Sequence, residues 1–158
     1  MYAQDYDERL PDYWYNTGTS GFWKKFGYTG ACYECALVCV YPYVKSMQLT
    51  VCPSQDDVGR MGHGSIAFDC RLRTDKLGSL GKPAEIAMVY DANCHWVNPE
   101  AGLPSFNTCN GGRIALTRHN QGMNIAFVDG HVKWMSSGAV GVSGQNGLPP
   151  FWDQANWN

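Results

Sequence analysis

An α+β domain is the fold class this sequence predicts, with short helical segments first and an antiparallel sheet toward the C-terminus. Three observations carry that expectation. Residues 31–46, ACYECALVCVYPYVKS, place apolar groups at near-helical spacing. Residues 84–90, AEIAMVY, form a compact apolar run bounded by Pro83 and Asp91, which reads as a buried strand. Residues 123–135 alternate about Asp129-Gly130, which reads as a β-hairpin.

The elements follow in chain order. Residues 1–9 read as the last turns of a helix begun upstream. Leu10-Pro11 ends it, because proline disfavours helical backbone in the residue before it. Residues 11–30 are an aromatic, glycine-rich loop. Pro42 predicts a break or kink in the helical stretch 31–46. Residues 48–51 are expected as a short strand, closed by Cys52-Pro53-Ser54, and 55–65 as a polar turn region. Residues 74–81 read as a short helix or turn, 92–111 as a long loop, and 113–118 as a strand. In the hairpin, a two-residue Asp129-Gly130 loop would want positive φ at both positions. That loop sets Phe127 opposite Val132 and Ile125 opposite Trp134, with Met123 on the same apolar face. Ala126 then faces Lys133, and Val128 faces His131, on the other side. Residues 137–158 are a Gly-, Pro- and Asn-rich tail, expected to pack on a single domain spanning 1–158.

Composition narrows the class. The chain has 158 residues, 44% hydrophobic and 16% charged, the latter below the usual quarter. A net charge of -2 gives no basic patch for nucleic acid. Aromatics at 13% and 18 glycines suit a loop-rich extracellular domain. Seven cysteines (Cys32, Cys35, Cys39, Cys52, Cys70, Cys94 and Cys109) are many for a cytosolic domain that binds no metal. There is one CxxC, at Cys32–Cys35, followed by Ala36 and with no second copy, so a haem or four-thiolate zinc site has little support. Disulfides are the expected use. Cys94–Cys109 is the first expected bridge and Cys52–Cys70 the second. Cys32, Cys35 and Cys39 share one helix face and should find partners elsewhere. Seven is odd, so at least one thiol is left over or pairs between chains. No run of about twenty apolar residues is present, and residues 1–15 do not read as a signal peptide. A chain so rich in cysteine is then expected to lack its natural N-terminus.

Asp129 and Gly130 are first of all turn residues. His119 lies before the hairpin, in Arg118-His119-Asn120-Gln121-Gly122. If strands 113–118 and 123–128 are neighbours, His119 and Asp129 sit at opposite sheet ends, roughly 17–20 Å apart, too far to share a metal. His119 is expected to hydrogen-bond within the sheet-end loops, with Asp91 its obvious partner.

Arg118-His119-Asn120, the nine residues from His119 to Asp129-Gly130, and His131-Val132-Lys133-Trp134 together resemble the H-X9-DG motif. That motif marks the prepilin-type processing-associated domain of bacterial pilin-like proteins. Other segments agree in order: Tyr2 to Pro11, Tyr41-Pro42-Tyr43-Val44-Lys45, Cys52-Pro53-Ser54, Pro83-Ala84-Glu85 and Tyr90-Asp91-Ala92. The resemblance covers residues 1 to about 136. The tail and Cys32, Cys35, Cys39, Cys94 and Cys109 lie outside it.

The resemblance implies a pilin-like head: a remnant of the N-terminal helix and a short helix packed on an antiparallel sheet, with long, disulfide-stapled loops. Such proteins begin with an apolar helix that anchors them in the inner membrane and later packs in a filament core. The implied function is a non-enzymatic subunit of a type IV pilus-like or secretion-pseudopilus filament at the cell surface. Its implied partners are copies of itself and other pilins or pseudopilins, and the head alone is expected to be a monomer. Related pseudopilins bind calcium, for which Asp5, Asp7 and Asp91 are the main candidates here, with Asp12, Asp56 and Asp57. None shows the spacing of a calcium loop. A secreted carbohydrate- or calcium-binding surface domain is the alternative, with aromatic residues of loops 13–28 and 95–111 stacking on sugars. A metal-dependent hydrolase using His63, His95, His119 or His131 with Asp69, Asp91 or Asp129, or a nucleophile at Ser65 or Cys94, ranks lower. No nucleophile elbow, HExxH, Walker loop or dinucleotide fingerprint is present.

Overall fold

The computed structural model of the protein describes residues 2–11, 36–55, 65–92, 96–98, 107–108 and 114–140. These residues form an α+β arrangement. Strands β1 (Ile66–Asp69), β2 (Ala87–Asp91), β3 (Trp96–Asn98), β4 (Asn107–Thr108), β5 (Gly122–Phe127) and β6 (Val132–Ser136) join in one sheet, ordered β4-β3-β1-β2-β5-β6. Every pairing is antiparallel except β1 with β3. Helices α1 (Tyr2–Asp5), α2 (Ala36–Val44) and α3 (Ser137–Val140) are short. Among the described residues, no helix is long and apolar enough to cross a membrane.

Helix α1 stops at Asp5, before the expected end at Leu10-Pro11. Asp7 and Glu8 take positive φ, and the Glu8 N–H returns to the Ala3 carbonyl at 2.7 Å, a helix-closing turn. The chain then runs beside residues 75–77: Leu10 N–H donates to Asp75 O and Leu77 N–H to Glu8 O. Helix α2 continues through Pro42 to Val44 rather than breaking there. It meets α1 through aromatic contacts: Tyr2 stacks on Tyr6 at 4.3 Å and meets Tyr43 edge-on at 5.8 Å, while Tyr43 O–H donates to Asp5 Oδ2 at 2.6 Å.

Two expected strands are absent. Residues 47–50 make a 3-10 turn, because Val51 N–H bonds locally to Gln48 O while Thr50 O is taken by Ser65 N–H. Of the expected strand 113–118, residues 114–118 are described, and among them only Ile114 bridges, to Ala92. The backbone then turns, with Arg118 N–H directed back to Ala115 O. The run 84–90 divides into a 3-10 turn at Pro83–Glu85 and strand β2, with a register shift between Ala87 and Val89. The region 92–111, expected as loop, contributes β3 and β4. Residues 74–81 hold a 3-10 turn at Leu77–Ser79.

Two apolar clusters pack on the sheet, one on each face, and leave β6 largely exposed. One carries Ala67, Ala87, Tyr90, Ala92, Ile114, Met123, Ile125, Phe127 and Val140. The other carries Leu10, Phe68, Leu72, Leu80, Ile86 and Val128. Ala67 and Phe68 are successive residues on β1 and enter different clusters, as strand alternation requires. Each fully buried large aliphatic side chain here contributes about 1.5–3 kcal/mol.

The hairpin exists, but its register differs from the expectation by one residue. Gly130 N–H donates to Phe127 O, and Phe127 N–H to His131 O. Those bonds enclose a three-residue loop, Val128-Asp129-Gly130, with positive φ at Gly130 only (+94), the turn-plus-bulge form of hairpin loop. The cause is tertiary. Val128 N–H bonds to Ile86 O, Asp129 N–H bonds to Pro83 O, and the Val128 side chain enters the second cluster. Ala126 therefore faces Val132, Ile125 faces Lys133, and Asn124 faces Trp134. Met123, Ile125 and Phe127 are buried as expected, whereas Val132 and Trp134 are 66% and 47% exposed.

The expected Cys52–Cys70 bridge is not formed, since Cys52 is a thiol whose sulfur approaches His119 instead. Cys39 is likewise in no disulfide, and its thiol lies against the Tyr2 hydroxyl, whose pKa burial and that contact push up to about 12. Cys32, Cys35, Cys94 and Cys109, and the tail beyond Val140, lie outside the described residues.

Two glycines of the hairpin separate steric from conformational constraint. A Cβ on Gly122 would run into the Trp134 ring and the Met135 carbonyl, while one on Gly130 would meet nothing. Gly122→Ala is expected to cost about 1–3 kcal/mol by overpacking. Gly130→Ala should cost about 1 kcal/mol through its positive φ alone. Urea unfolding of the two variants checks the order.

Candidate functional site

The end of the sheet that receives His119 is the richest polar constellation among the described residues. It is built by a turn. His119 and Gly122 exchange backbone bonds, His119 N–H to Gly122 O at 3.0 Å and Gly122 N–H to His119 O at 3.1 Å. Between them Asn120 and Gln121 both take positive φ, 52° and 59°. The paired left-handed conformation expected at Asp129-Gly130 thus occurs at Asn120-Gln121, a two-residue loop leading into β5.

Ser65 is the hub behind this turn and is 1% exposed. Its Oγ accepts from Cys52 N–H at 2.6 Å, and its N–H donates to Thr50 O. Its carbonyl accepts from both Ala92 N–H and Arg118 Nη1 at 2.8 Å. Asp91, at the end of β2, turns its carboxylate to the same place. Oδ2 accepts from Asn124 N–H at 2.7 Å and Asn124 Nδ2 at 3.1 Å.

His119 Nε2 lies 3.5 Å from Asp91 Oδ2 and 3.6 Å from Cys52 Sγ. The Asp91 contact is thus at ion-pair distance, longer than a good hydrogen bond. One nitrogen serves both neighbours: carrying a proton it faces the carboxylate, and without one it accepts the Cys52 S–H. Across the sheet, Trp134 Nε1–H donates to His119 O at 2.8 Å. Burial lowers the Arg118 pKa, while Asp91 and Cys52 act the other way and favour its charged form.

A thiol beside an imidazole suggests nucleophilic chemistry, but the order of groups differs from a nucleophile–base–orienter chain. There the carboxylate holds the far ring nitrogen. Here carboxylate and thiol share Nε2. The arrangement instead ties four segments together: the turn after α2, the start of β1, the end of β2 and the entry to β5.

Asp91, His119 and Asn120 thus share one end of the sheet, and His119 meets Asp91 as expected, though by a longer contact. Asp129, Gly130 and His131 are at the other end of β5. There Asp129 Oδ1 accepts from His131 N–H at 3.1 Å and meets His131 Nδ1 at 2.6 Å, and the imidazole stacks on Phe127 at 4.3 Å. Asp69 is fully buried in a two-pronged pair with Arg71. Asp5 is held by Tyr43 and Asp91 by Asn124, with Asp7 in a left-handed turn. No group of three or more His, Cys, Asp or Glu able to hold a metal occurs among the described residues. His63, His95, Asp12, Asp56 and Asp57 lie outside them. Sequence reasoning missed Cys52, Ser65, Arg118, Asn124 and Trp134 as members of one cluster. Cys52, Arg118 and Trp134 lie in the ordered set of resembling segments, whereas Asn124 falls only within its nine-residue spacer and Ser65 lies outside it.

Compared with family models, curated proteins and solved structures, the chain finds no match.

Asp91 holds more of this network than His119 does. Asp91→Ala strands the Asn124 donors and should cost about 2 kcal/mol, against about 1 kcal/mol for His119→Ala. Denaturant titration checks the ranking; a His119→Ala loss below a few tenths would mean that the ring braces nothing. At the opposite turn, bonds from His131 hold the Asp129 pKa below the ordinary aspartate range. A depressed folded pKa gives stability that is present above the unfolded value and lost as pH falls through the folded one. Carboxyl NMR titration of Asp129 should therefore show a midpoint below that of an unfolded-chain aspartate, and His131→Ala, which removes the ring but keeps the backbone N–H, should move it part of the way back up.

Proposed function

We propose that this protein is the head of a non-enzymatic structural subunit of an extracellular filament, of the type IV pilus-like or secretion-pseudopilus kind. One observation carries the reading: the two halves of the H-X9-DG resemblance have structural roles at opposite ends of one strand. His119 packs between Asp91 and Cys52 at the entry to β5, and Asp129-Gly130 forms the turn after it. A motif used in this way orders a sheet. The antiparallel β2–β5–β6 unit, with β5 packed into the core, supports the same reading.

On this reading the pilin-like head displays its loops outward and is carried into a filament by association with copies of itself and with other pilins. The contact is heterologous and repeats by a screw operation without closing. Assembly starts from the inner membrane and ends at the cell surface. The reading assigns no catalytic residue, no nucleic-acid contact and no cofactor.

Immunogold labelling of source cells with antibody raised against this chain tests it. Label should decorate filaments and appear in the fraction released by shearing, and both should vanish when the prepilin peptidase is deleted. Label confined to the cytosol, or unchanged by that deletion, would overturn the reading.

A further inference from the structure

Trp134 is placed in a way that core packing does not explain. It is 47% exposed on the outer face of β6. Its indole N–H is engaged by His119 O at 2.8 Å. One face of the ring lies over Gly122, where a Cβ would strike Cζ2 and Cε2. The ring is thus fixed at its nitrogen and supported from beneath, and it stays half in water. An open depression of about 450 Å³ adjoins it, lined among the described residues by His119, Asn120 and Trp134. That volume falls in the range of small-molecule sites. Asn120 stands in the left-handed turn closed by the reciprocal His119–Gly122 bonds, and its amide makes no hydrogen bond to any described residue.

We propose that this depression binds one pyranose ring of a polysaccharide. The lining supplies what a neutral sugar needs. The electron-rich face of an indole receives the apolar C–H face of a pyranose. The Asn120 amide offers two donors and an acceptor to the ring hydroxyls, and the imidazole edge of His119 adds a further polar contact. The described lining residues, an indole, an amide and an imidazole, are the groups that stack on and hydrogen-bond a sugar ring. A protein-docking strip is less well matched. Val132 is exposed nearby, but the described neighbours of the indole include the polar residues His119, Asn120 and Asn124. The site stands on its own geometry and does not depend on filament assembly.

The test is NMR of the full chain with ¹⁵N-labelled tryptophan. The Trp134 indole signal is assigned by its absence in Trp134→Phe. Cellohexaose, chitohexaose and mannohexaose are titrated in turn. The expected result is a saturable shift of that signal with at least one of them. Trp134→Ala, which lacks that signal and is read by isothermal titration calorimetry beside the unsubstituted chain, should weaken binding at least about tenfold. Asn120→Gly keeps the left-handed backbone, removes the amide, and should weaken it about three- to tenfold. It also keeps the test valid if Trp134→Ala fails to fold. Absence of any shift with all three oligosaccharides would overturn the proposal. So would binding that both variants leave unchanged. Concentration-dependent broadening without sugar, abolished by Trp134→Ala, would make the face a protein contact and would overturn it as well.

Discussion

Backbone bonds from Val128 and Asp129 to the segment 83–86 decide how the β5–β6 hairpin closes. By drawing those two residues toward Ile86 and Pro83, they require a loop of three residues rather than two. A one-residue change of register moves every side chain of the returning strand to the other face. Lys133 therefore stands opposite Ile125, and Trp134 opposite Asn124. The site at the sheet end depends on that exchange. Trp134 reaches the His119 carbonyl only because it shares a face with Asn124, whose amides hold Asp91.

Polar satisfaction is the second constraint. Ser65 and Asp91 are buried, and a buried polar group without a partner costs about 1–3 kcal/mol. Between them they bind Thr50, Cys52, Ala92, Arg118 and Asn124. Bonds that satisfy these groups also fix four chain segments relative to one another, which explains why the turn at Asn120-Gln121 holds two non-glycine residues at positive φ. The strain of that turn is repaid by the bonds closing it.

Several parts of the fold were legible in the sequence for definite reasons. Ile86, Ala87 and Tyr90 of the apolar run before Asp91 are buried, and its compactness and its bounding Pro83 marked it. Met123, Ile125 and Phe127 are core, and alternation marked them. Other parts were not legible. Residues 48–51 and 113–118 have strand-like composition, yet their backbone groups are taken by local turns or by single bridges. Cysteine count suggested a Cys52–Cys70 bridge, but spacing carries no information about where a thiol points, and the Cys52 sulfur faces His119.

By itself the sequence determined the α+β class, the buried strand, the hairpin, and the pairing of His119 with the end of that strand. The first three follow from periodicity and turn chemistry, and the last from a histidine at a loop start and an aspartate at a strand end, all of which are local or nearly so. Only the tertiary structure decided the hairpin register, the left-handed turn at Asn120-Gln121, and the gathering of Cys52, Ser65, Asp91, Arg118, His119 and Asn124. The register and the cluster depend on bonds between residues far apart in the chain, and no local pattern specifies the distant partner; the turn is closed locally by His119 and Gly122, but its Asn-Gln pair carries no glycine to mark it.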